Sequence, residues 1–305
     1  MLDSFGREVS SLRISVTQQC NLNCFFCHKE GEAFTSSIPM SREEIEVLVK
    51  IGSRLGIRKV KITGGEPLLR PDIAGIVRDG SRYLDEVSLV TNGTLLGSMA
   101  TELKGAGLRR INISLHSLDR GNYGGITGKD QLKAVMEGID AALENGLRPV
   151  KLNAVVLKGI NDAEIEDMID FASERGAILQ LIELQRMGEV EWFEKHYLDL
   201  SPIEAQLRKE AVQVLERGFQ RRRKYVLQRL GKDVEVEVVR PLHNSAFCMN
   251  CTRLRTTSDG RLKPCLMRND NLVEFASLLR KGAGERQLSE AFQEAIRRRE
   301  PYWKG

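Results

Sequence analysis

Long apolar runs are missing from this sequence: none exceeds four residues, as in Ala154 to Leu157, whereas a membrane span needs about 20. No transmembrane helix is expected. The opening residues, Met1-Leu2-Asp3-Ser4-Phe5-Gly6-Arg7-Glu8, carry acids early and lack the apolar stretch of a secretion signal, so a cytoplasmic protein is expected. Proline is scarce, 8 in 305 residues, and the 27 glycines form no collagen-like or low-complexity tract. Neither sign of charge dominates: 46 Lys and Arg against 42 Asp and Glu leave +4, too mild a balance to indicate a nucleic-acid binder. What is present, 41% hydrophobic and 29% charged residues, is a globular composition, long enough for one large domain with an appendage or for two domains.

Cysteine is absent from more than two hundred consecutive residues and concentrated at either end, in Cys20, Cys24, Cys27 and in Cys248, Cys251, Cys265. Close-spaced thiols in a cytosolic chain hold metal more often than they pair as disulfides. Two readings remain open. Structural zinc takes four ligands, which His28 or His243 would complete. Alternatively, each trio holds an iron–sulfur cubane; these normally have four thiolate ligands, so three leave one iron open to a substrate or cofactor.

Between the trios, strand-like runs at 12–17, 59–64, 87–92, 110–116, 149–156 and 178–184 alternate with helical stretches. The first helix is marked by Ser41 and Glu44 at capping-box spacing and by Ile45, Leu48, Val49 and Leu55 on one face; others fit near 71–83, 95–106, 130–145 and 163–175. Six such units indicate an α/β fold, an incomplete (β/α)6 TIM-type barrel over 1–190, since eight units need about 250 residues. After 190 the alternation stops; shorter strands at 225–227, 234–239 and 254–257 and an exposed helix over 288–298 define a C-terminal domain, 191–305. That domain carries the second trio and is expected to close the open side. Period-2 phase says more. Leu12, Ile14, Val16 alternate with Arg13, Ser15, Thr17; Val60, Ile62 with Lys61, Thr63; Ile111, Ile113, Leu115 with Asn112, Ser114, His116; and Leu152, Ala154 with Lys151, Asn153. The polar phase converges on a wet, cationic lumen, and three cations there suit a polyanion such as a nucleoside triphosphate. Thr63-Gly64-Gly65-Glu66-Pro67, like the first trio, follows a strand at the rim where such folds place active sites.

Cys20-Asn21-Leu22-Asn23-Cys24-Phe25-Phe26-Cys27 resembles the CxxxCxxC motif of radical S-adenosylmethionine (AdoMet) enzymes, and Gly64-Gly65-Glu66 resembles their GGE segment. Within that family the chain is most similar to the GTP 3′,8-cyclases, from about residue 12 to 266; Cys248-Met249-Asn250-Cys251-Thr252-Arg253-Leu254-Arg255, with Cys265 after thirteen intervening residues, is the most diagnostic part. The resemblance implies two [4Fe–4S] clusters, one cleaving AdoMet and one holding the purine of GTP. It implies Phe26, Gly64, Gly65, Glu66 and Ser114 against AdoMet, and Arg13, Lys61, Thr91, Lys151, Arg253 and Arg255 against GTP. The implied reaction makes 3′,8-cyclo-7,8-dihydro-GTP, the first step towards molybdopterin, with no side chain as general base. The implied partners are an electron donor and a downstream enzyme that forms cyclic pyranopterin from the product. Phe26 stands where bacterial members commonly carry Tyr, and His116 where they carry Asp; the tail ends in the single Gly305.

Other features read as structural. Gly124-Gly125 and Gly105-Ala106-Gly107 are expected at turns or helix ends, Arg221-Arg222-Arg223-Lys224 on a solvated face rather than an RNA patch, and Met187 and Trp192 in packing. Of the four histidines only His116 is expected in the lumen. Two rivals stay open: a different two-cluster radical AdoMet enzyme, such as a peptide-modifying maturase, and a non-catalytic metal- or RNA-binding module.

Overall fold

The computed structural model describes residues 1–32, 38–186 and 190–303; Met187 and Gly305 lie outside them. Six strands run parallel in chain order: β1 (Ser11–Ser15), β2 (Lys59–Thr63), β3 (Glu86–Thr91), β4 (Arg110–Ser114), β5 (Val150–Val156) and β6 (Ile178–Glu183). Between them lie α1 (Arg42–Arg54), α2 (Ile73–Tyr83), α3 (Leu96–Gly105), α4 (Arg120–Thr127), α5 (Leu132–Glu144) and α6 (Ile165–Arg175). Helix α1 begins as its sequence dictates: Ser41 Oγ accepts from Glu44 N, and the Glu44 carboxylate accepts from Ser41 N. The apolar phase of each strand, Leu12, Ile14, Val60, Ile62, Ile111, Ile113, Leu152 and Ala154, is buried under these helices in one continuous core.

The remainder of the chain supplies α7 (Val190–His196), α8 (Ser201–Glu210), β7 (Gln213–Glu216), β8 (Arg223–Arg229), β9 (Lys232–Val239), α9 (Ser245–Met249), β10 (Arg253–Thr256), β11 (Arg261–Lys263), β12 (Val273–Glu274), α10 (Ala276–Arg280) and α11 (Glu285–Arg297). It extends the barrel sheet at both edges. Strand β10 lies parallel to β1, with Arg255 opposite Arg13, and β9 lies parallel to β6, with Glu237 opposite Gln180. The result is one twelve-stranded sheet in the order β12-β11-β10-β1-β2-β3-β4-β5-β6-β9-β8-β7, in which β1 and β6 do not pair, so the barrel is incomplete. Among the described residues no helix is long and apolar enough to cross a membrane.

Three local expectations need correction. Helix α11 is amphipathic rather than exposed: Leu288, Ala291, Phe292, Ala295 and Ile296, at i, i+3, i+4, i+7, i+8, are buried, and Phe292 meets Phe275 edge-on at 6.2 Å. Gly124 and Gly125 lie inside α4 rather than at a turn, which the Asp119 cap at its start and left-handed Gly128 at its end delimit. The basic run is no solvated face. Alternation at the start of β8 leaves Arg223 exposed but turns Lys224 inward to Glu235; in the turn before it Arg221 is exposed and Arg222 points towards Glu237.

Candidate active site

A cavity of about 390 Å³ opens inside the barrel, and all six cysteines, free of disulfides, line it. The polar strand phase lines it too: Arg13 and Lys61 on β1 and β2, Asn112 and Ser114 on β4, Lys151 and Asn153 on β5, and beyond these Arg110, Gln180, Arg253 and Arg255. Its two halves differ in chemistry.

One half is cationic. Lys61 Nζ donates to Asn112 Oδ1 at 2.8 Å, and the Asn112 amide donates on to Asn153 Oδ1 at 3.2 Å. Burial pushes the Lys61 ammonium well below its ordinary range, and Arg13, Arg253, Arg110 and Lys151 push it further. Lys151 donates to Glu237 Oε1 at 2.5 Å, and Gln180 donates to the other oxygen at 2.7 Å. Burial would raise the Glu237 carboxyl, but Lys151, Arg222 and Arg217 hold it at about 2; burial brings Lys151 down to about 7 against the pull of Glu237. Among the described residues no carboxylate pairs with Lys61 or Arg253. Arg253 rests over the Phe219 ring, 5.0 Å from its centroid. Two half-buried, desolvated cations without a carboxylate partner are costly unless an anion arrives.

The second trio sits at this end, and two buried guanidinium groups fix its backbone. Arg7 donates to Cys248 O at 2.9 Å and Arg299 to Cys251 O at 2.5 Å, both held by Asp3 Oδ2 at 2.8 and 2.9 Å respectively. Burial would raise the Cys251 thiol, but Arg253, Arg299 and Arg255 bring it below its ordinary value.

The other half has little charge. Burial raises the thiols of the first trio, Cys24 to about 12 with Cys27 and Cys20 adding to the shift. Phe26 packs edge-on against His116, with ring centroids 4.8 Å apart. His116 Nδ1 accepts from Val155 N at 3.2 Å, so the ring carries its proton on Nε2; burial lowers its pKa to about 4 and keeps it neutral. Gly64 adopts φ +153, and a Cβ on Gly65 would lie 2.2 Å from Gln19 O, so these two positions bring backbone to the cavity wall where no side chain fits.

The structure brings Phe26, Gly64, Gly65, Ser114, Arg13, Lys61, Thr91, Lys151, Arg253 and Arg255 to this one cavity. Glu66 is the correction. Its carboxylate does not line the cavity; it is fully buried, accepting from Leu68 N at 3.0 Å, Thr91 Oγ1 at 2.7 Å and Asn92 N at 2.6 Å. These three bonds make it a brace for the loop after β3. The Thr91 hydroxyl is thereby committed to Glu66. His28 joins His116 in the lining, so the lumen holds two histidines. Trp192 packs as expected, 5.0 Å from Phe25 and stacked on His196.

Sequence reasoning missed Glu30, Glu237, Gln180, Arg222 and the Asp3, Arg7 and Arg299 clamp. Gln180 was readable, standing between Leu179 and Leu181 in the polar phase of β6. Glu237 was equally readable, between Val236 and Val238 in β9, whereas Glu30, Arg222 and the joining of Arg299 to the Asp3–Arg7 pair owe their places to contacts across the chain that no local pattern announces.

The six thiols fit two clusters. Within each trio the sulfurs lie near enough to influence one another's ionisation, yet among the described residues no three His, Cys, Asp or Glu side chains converge on a single metal ion. Ligands that each serve a different iron of one cluster need no such convergence.

Residues 14–172 match the Radical SAM superfamily model, and residues 177–305 match Molybdenum Cofactor Synthesis C. Over their whole lengths, the chain and a probable GTP 3′,8-cyclase of Thermococcus kodakarensis are 52% identical; one from Methanothermobacter marburgensis is 47% identical over 99% of this chain and 98% of its own. Among solved structures, Streptococcus suis SuiB bound to precursor peptide SuiA superposes with a TM-score of 0.67 at 17% identity, over 85% of this chain and 60% of that one. Bound to S-adenosylmethionine, SuiB gives 0.61 at 18% identity over 85% of this chain, which spans 58% of that protein's length. At such identities these two share the fold alone. From the paired domain models and the full-length relatives, the chain belongs to the radical SAM superfamily and, within it, to the GTP 3′,8-cyclase family.

Proposed function

We propose that this chain converts GTP to (8S)-3′,8-cyclo-7,8-dihydroguanosine 5′-triphosphate, the first step of molybdopterin and hence molybdenum cofactor biosynthesis, as a radical AdoMet lyase holding two [4Fe–4S] clusters. The observation that carries this reading is the pair of half-buried basic side chains, Lys61 and Arg253, that among the described residues lack a carboxylate partner in a cavity lined by both cysteine trios.

Cys20, Cys24 and Cys27 hold the first cluster, and Cys248, Cys251 and Cys265 the second. Bound there, the clusters supply an electron for AdoMet cleavage and an open iron for the purine. Phe26, the Gly64–Gly65 backbone and Ser114 receive AdoMet in the half where charge is sparse. Arg13, Lys61, Lys151, Arg253 and Arg255 receive the triphosphate, with Thr91 beside them, and so orient the ribose between the halves. The hydrophobic shell of Ile126, Leu157 and Leu184 behind Phe26 keeps water from the AdoMet side. An electron donor and a downstream cyclic pyranopterin-forming enzyme are the partners this reaction requires, and no nucleic acid or membrane enters it.

The test is anaerobic reconstitution with iron and sulfide, followed by AdoMet, a strong reductant and each nucleoside triphosphate separately. GTP-dependent 5′-deoxyadenosine with a cyclised isomer of GTP is the expected result. AdoMet cleavage indifferent to nucleotide would overturn the substrate; no cleavage at full iron loading would overturn the enzyme reading.

A further inference from the structure

Glu30 is an acid buried among the cations of the cavity. Its Oε2 accepts from Arg13 Nε at 2.9 Å and from Arg255 Nη1 at 3.0 Å; its Oε1 accepts from Thr63 Oγ1 at 3.0 Å and from the second arm of Arg13. Arg13 and Arg255 face each other across the β1–β10 junction, so one carboxylate ties together the strand that leads into the first trio and the strand that runs between Cys251 and Cys265 of the second. Burial would raise this carboxyl, yet the two guanidinium groups hold it well below the ordinary range. The backbone that delivers it is unusual. Lys29, Glu30 and Gly31 are left-handed in succession, with φ 45, 54 and 68, and two of them carry side chains. Gly31 is pressed against the second trio's loop, where a Cβ would lie 2.3 Å from Leu266 O. A strained turn thus inserts an anion between two of the five cations assigned to triphosphate.

We propose that Glu30 is a placeholder anion: without nucleotide it holds Arg13 and Arg255, and the incoming triphosphate competes with it for them, so that Glu30 sets how tightly the cavity takes a polyphosphate. The inference deepens the proposed function and rests on it. A guanidinium has five donors, and Arg255 spends one of them on Glu30, so it can turn to a phosphate oxygen while the carboxylate stays near. Removing the negative charge leaves both guanidinium groups uncompensated and raises their attraction for any anion.

Cluster-loaded protein without AdoMet is dialysed anaerobically against GTP, inorganic tripolyphosphate and guanosine. In Glu30→Gln, GTP and tripolyphosphate are expected to bind about tenfold tighter, with guanosine unchanged. The melting temperature without ligand falls, and the rise on adding tripolyphosphate grows. Should Glu30→Gln not fold, Glu30→Asp keeps the charge but shortens the reach by one methylene and loosens its hold on both guanidinium groups; it is expected to bind tripolyphosphate about two- to threefold tighter than the parent. Unchanged or weaker tripolyphosphate binding in the folded variant overturns the placeholder role in favour of a fixed structural ion pair. A parent protein that binds neither GTP nor tripolyphosphate overturns the nucleotide reading along with it, whereas a parent that binds both, with variants that do not tighten, overturns the role of Glu30 alone.

Discussion

The two cysteine trios share one cavity but face opposite electrostatic surroundings. Around the first, the walls include Phe26, neutral His116 and glycine backbone, and burial is the largest influence on the thiols, raising all three. Around the second, Arg7, Arg253, Arg255 and Arg299 crowd the sulfurs and their carbonyls, and they outweigh burial at Cys251. The difference follows the ligand each side is proposed to take. A cationic sulfonium with an adenine ring suits aromatic and backbone surfaces with little charge, whereas a triphosphate needs cations already desolvated and aimed. Placing both on one sheet lets a single strand phase separate them by position along the barrel.

Several experiments bear on that division. The largest effects belong to the thiols: Cys24→Ala should reduce 5′-deoxyadenosine formation to background while GTP still binds, and Cys251→Ala should retain reductive AdoMet cleavage while damaging GTP use. Undiminished AdoMet cleavage in Cys24→Ala would sink the assignment of the first trio. Next come the unpaired cations. Lys61→Met and Arg253→Met should each weaken GTP binding about 10- to 100-fold, as loss of a charge-assisted hydrogen bond of about 1.5–3 kcal/mol would, with AdoMet affinity unchanged in isothermal titration. Equal loss of both affinities would break the separation of the halves.

Gly65→Ala probes the opposite side. Its Cβ would meet Gln19 O at 2.2 Å, so we expect about 1–3 kcal/mol of destabilisation in urea unfolding and a selective loss of AdoMet affinity. Full AdoMet binding in this variant would remove the backbone wall from the proposal. The smallest effect is with pH. Burial brings the Lys151 ammonium down to about 7, with Glu237 opposing, so in the unliganded cavity it is charged below that pH and neutral above. Only the charged form attracts the triphosphate. GTP affinity should therefore be highest below pH 7 and fall a few-fold as the pH rises through and beyond it, while AdoMet affinity stays flat and Lys151→Arg removes the dependence. A GTP affinity that climbs with pH would show that Lys151 serves Glu237 alone.

The barrel was legible because its strands alternate strictly. Leu12-Arg13-Ile14-Ser15 and Val60-Lys61-Ile62-Thr63 state in sequence which side faces helices and which faces the lumen, and β1, β2, β4 and β5 obey that phase. Helix α11 was misjudged as exposed although its apolar spacing was present, because the surface it covers, near Gly52 of α1 and Phe275, comes from segments far off in the chain. Glu66 shows the converse: a residue in a recognisable motif whose carboxylate serves the loop of its neighbours. Glu237 stood in the polar phase of an expected strand, between Val236 and Val238, but Glu30 carried no signal at all. A buried acid is written in sequence like any exposed one, and only the cations that close around it make it part of the site.

The sequence by itself determined the two cysteine trios, the parallel sheet and the cationic lumen, since covalent spacing and period-2 phase are local properties. Tertiary structure alone decided that β9 and β10 extend opposite edges of that sheet, that Asp3, Arg7 and Arg299 clamp the second trio, and that Glu30 stands between Arg13 and Arg255. These are contacts between residues up to 296 positions apart. Their energies depend on distance and burial in space, which no order of residues along the chain specifies until the core has folded.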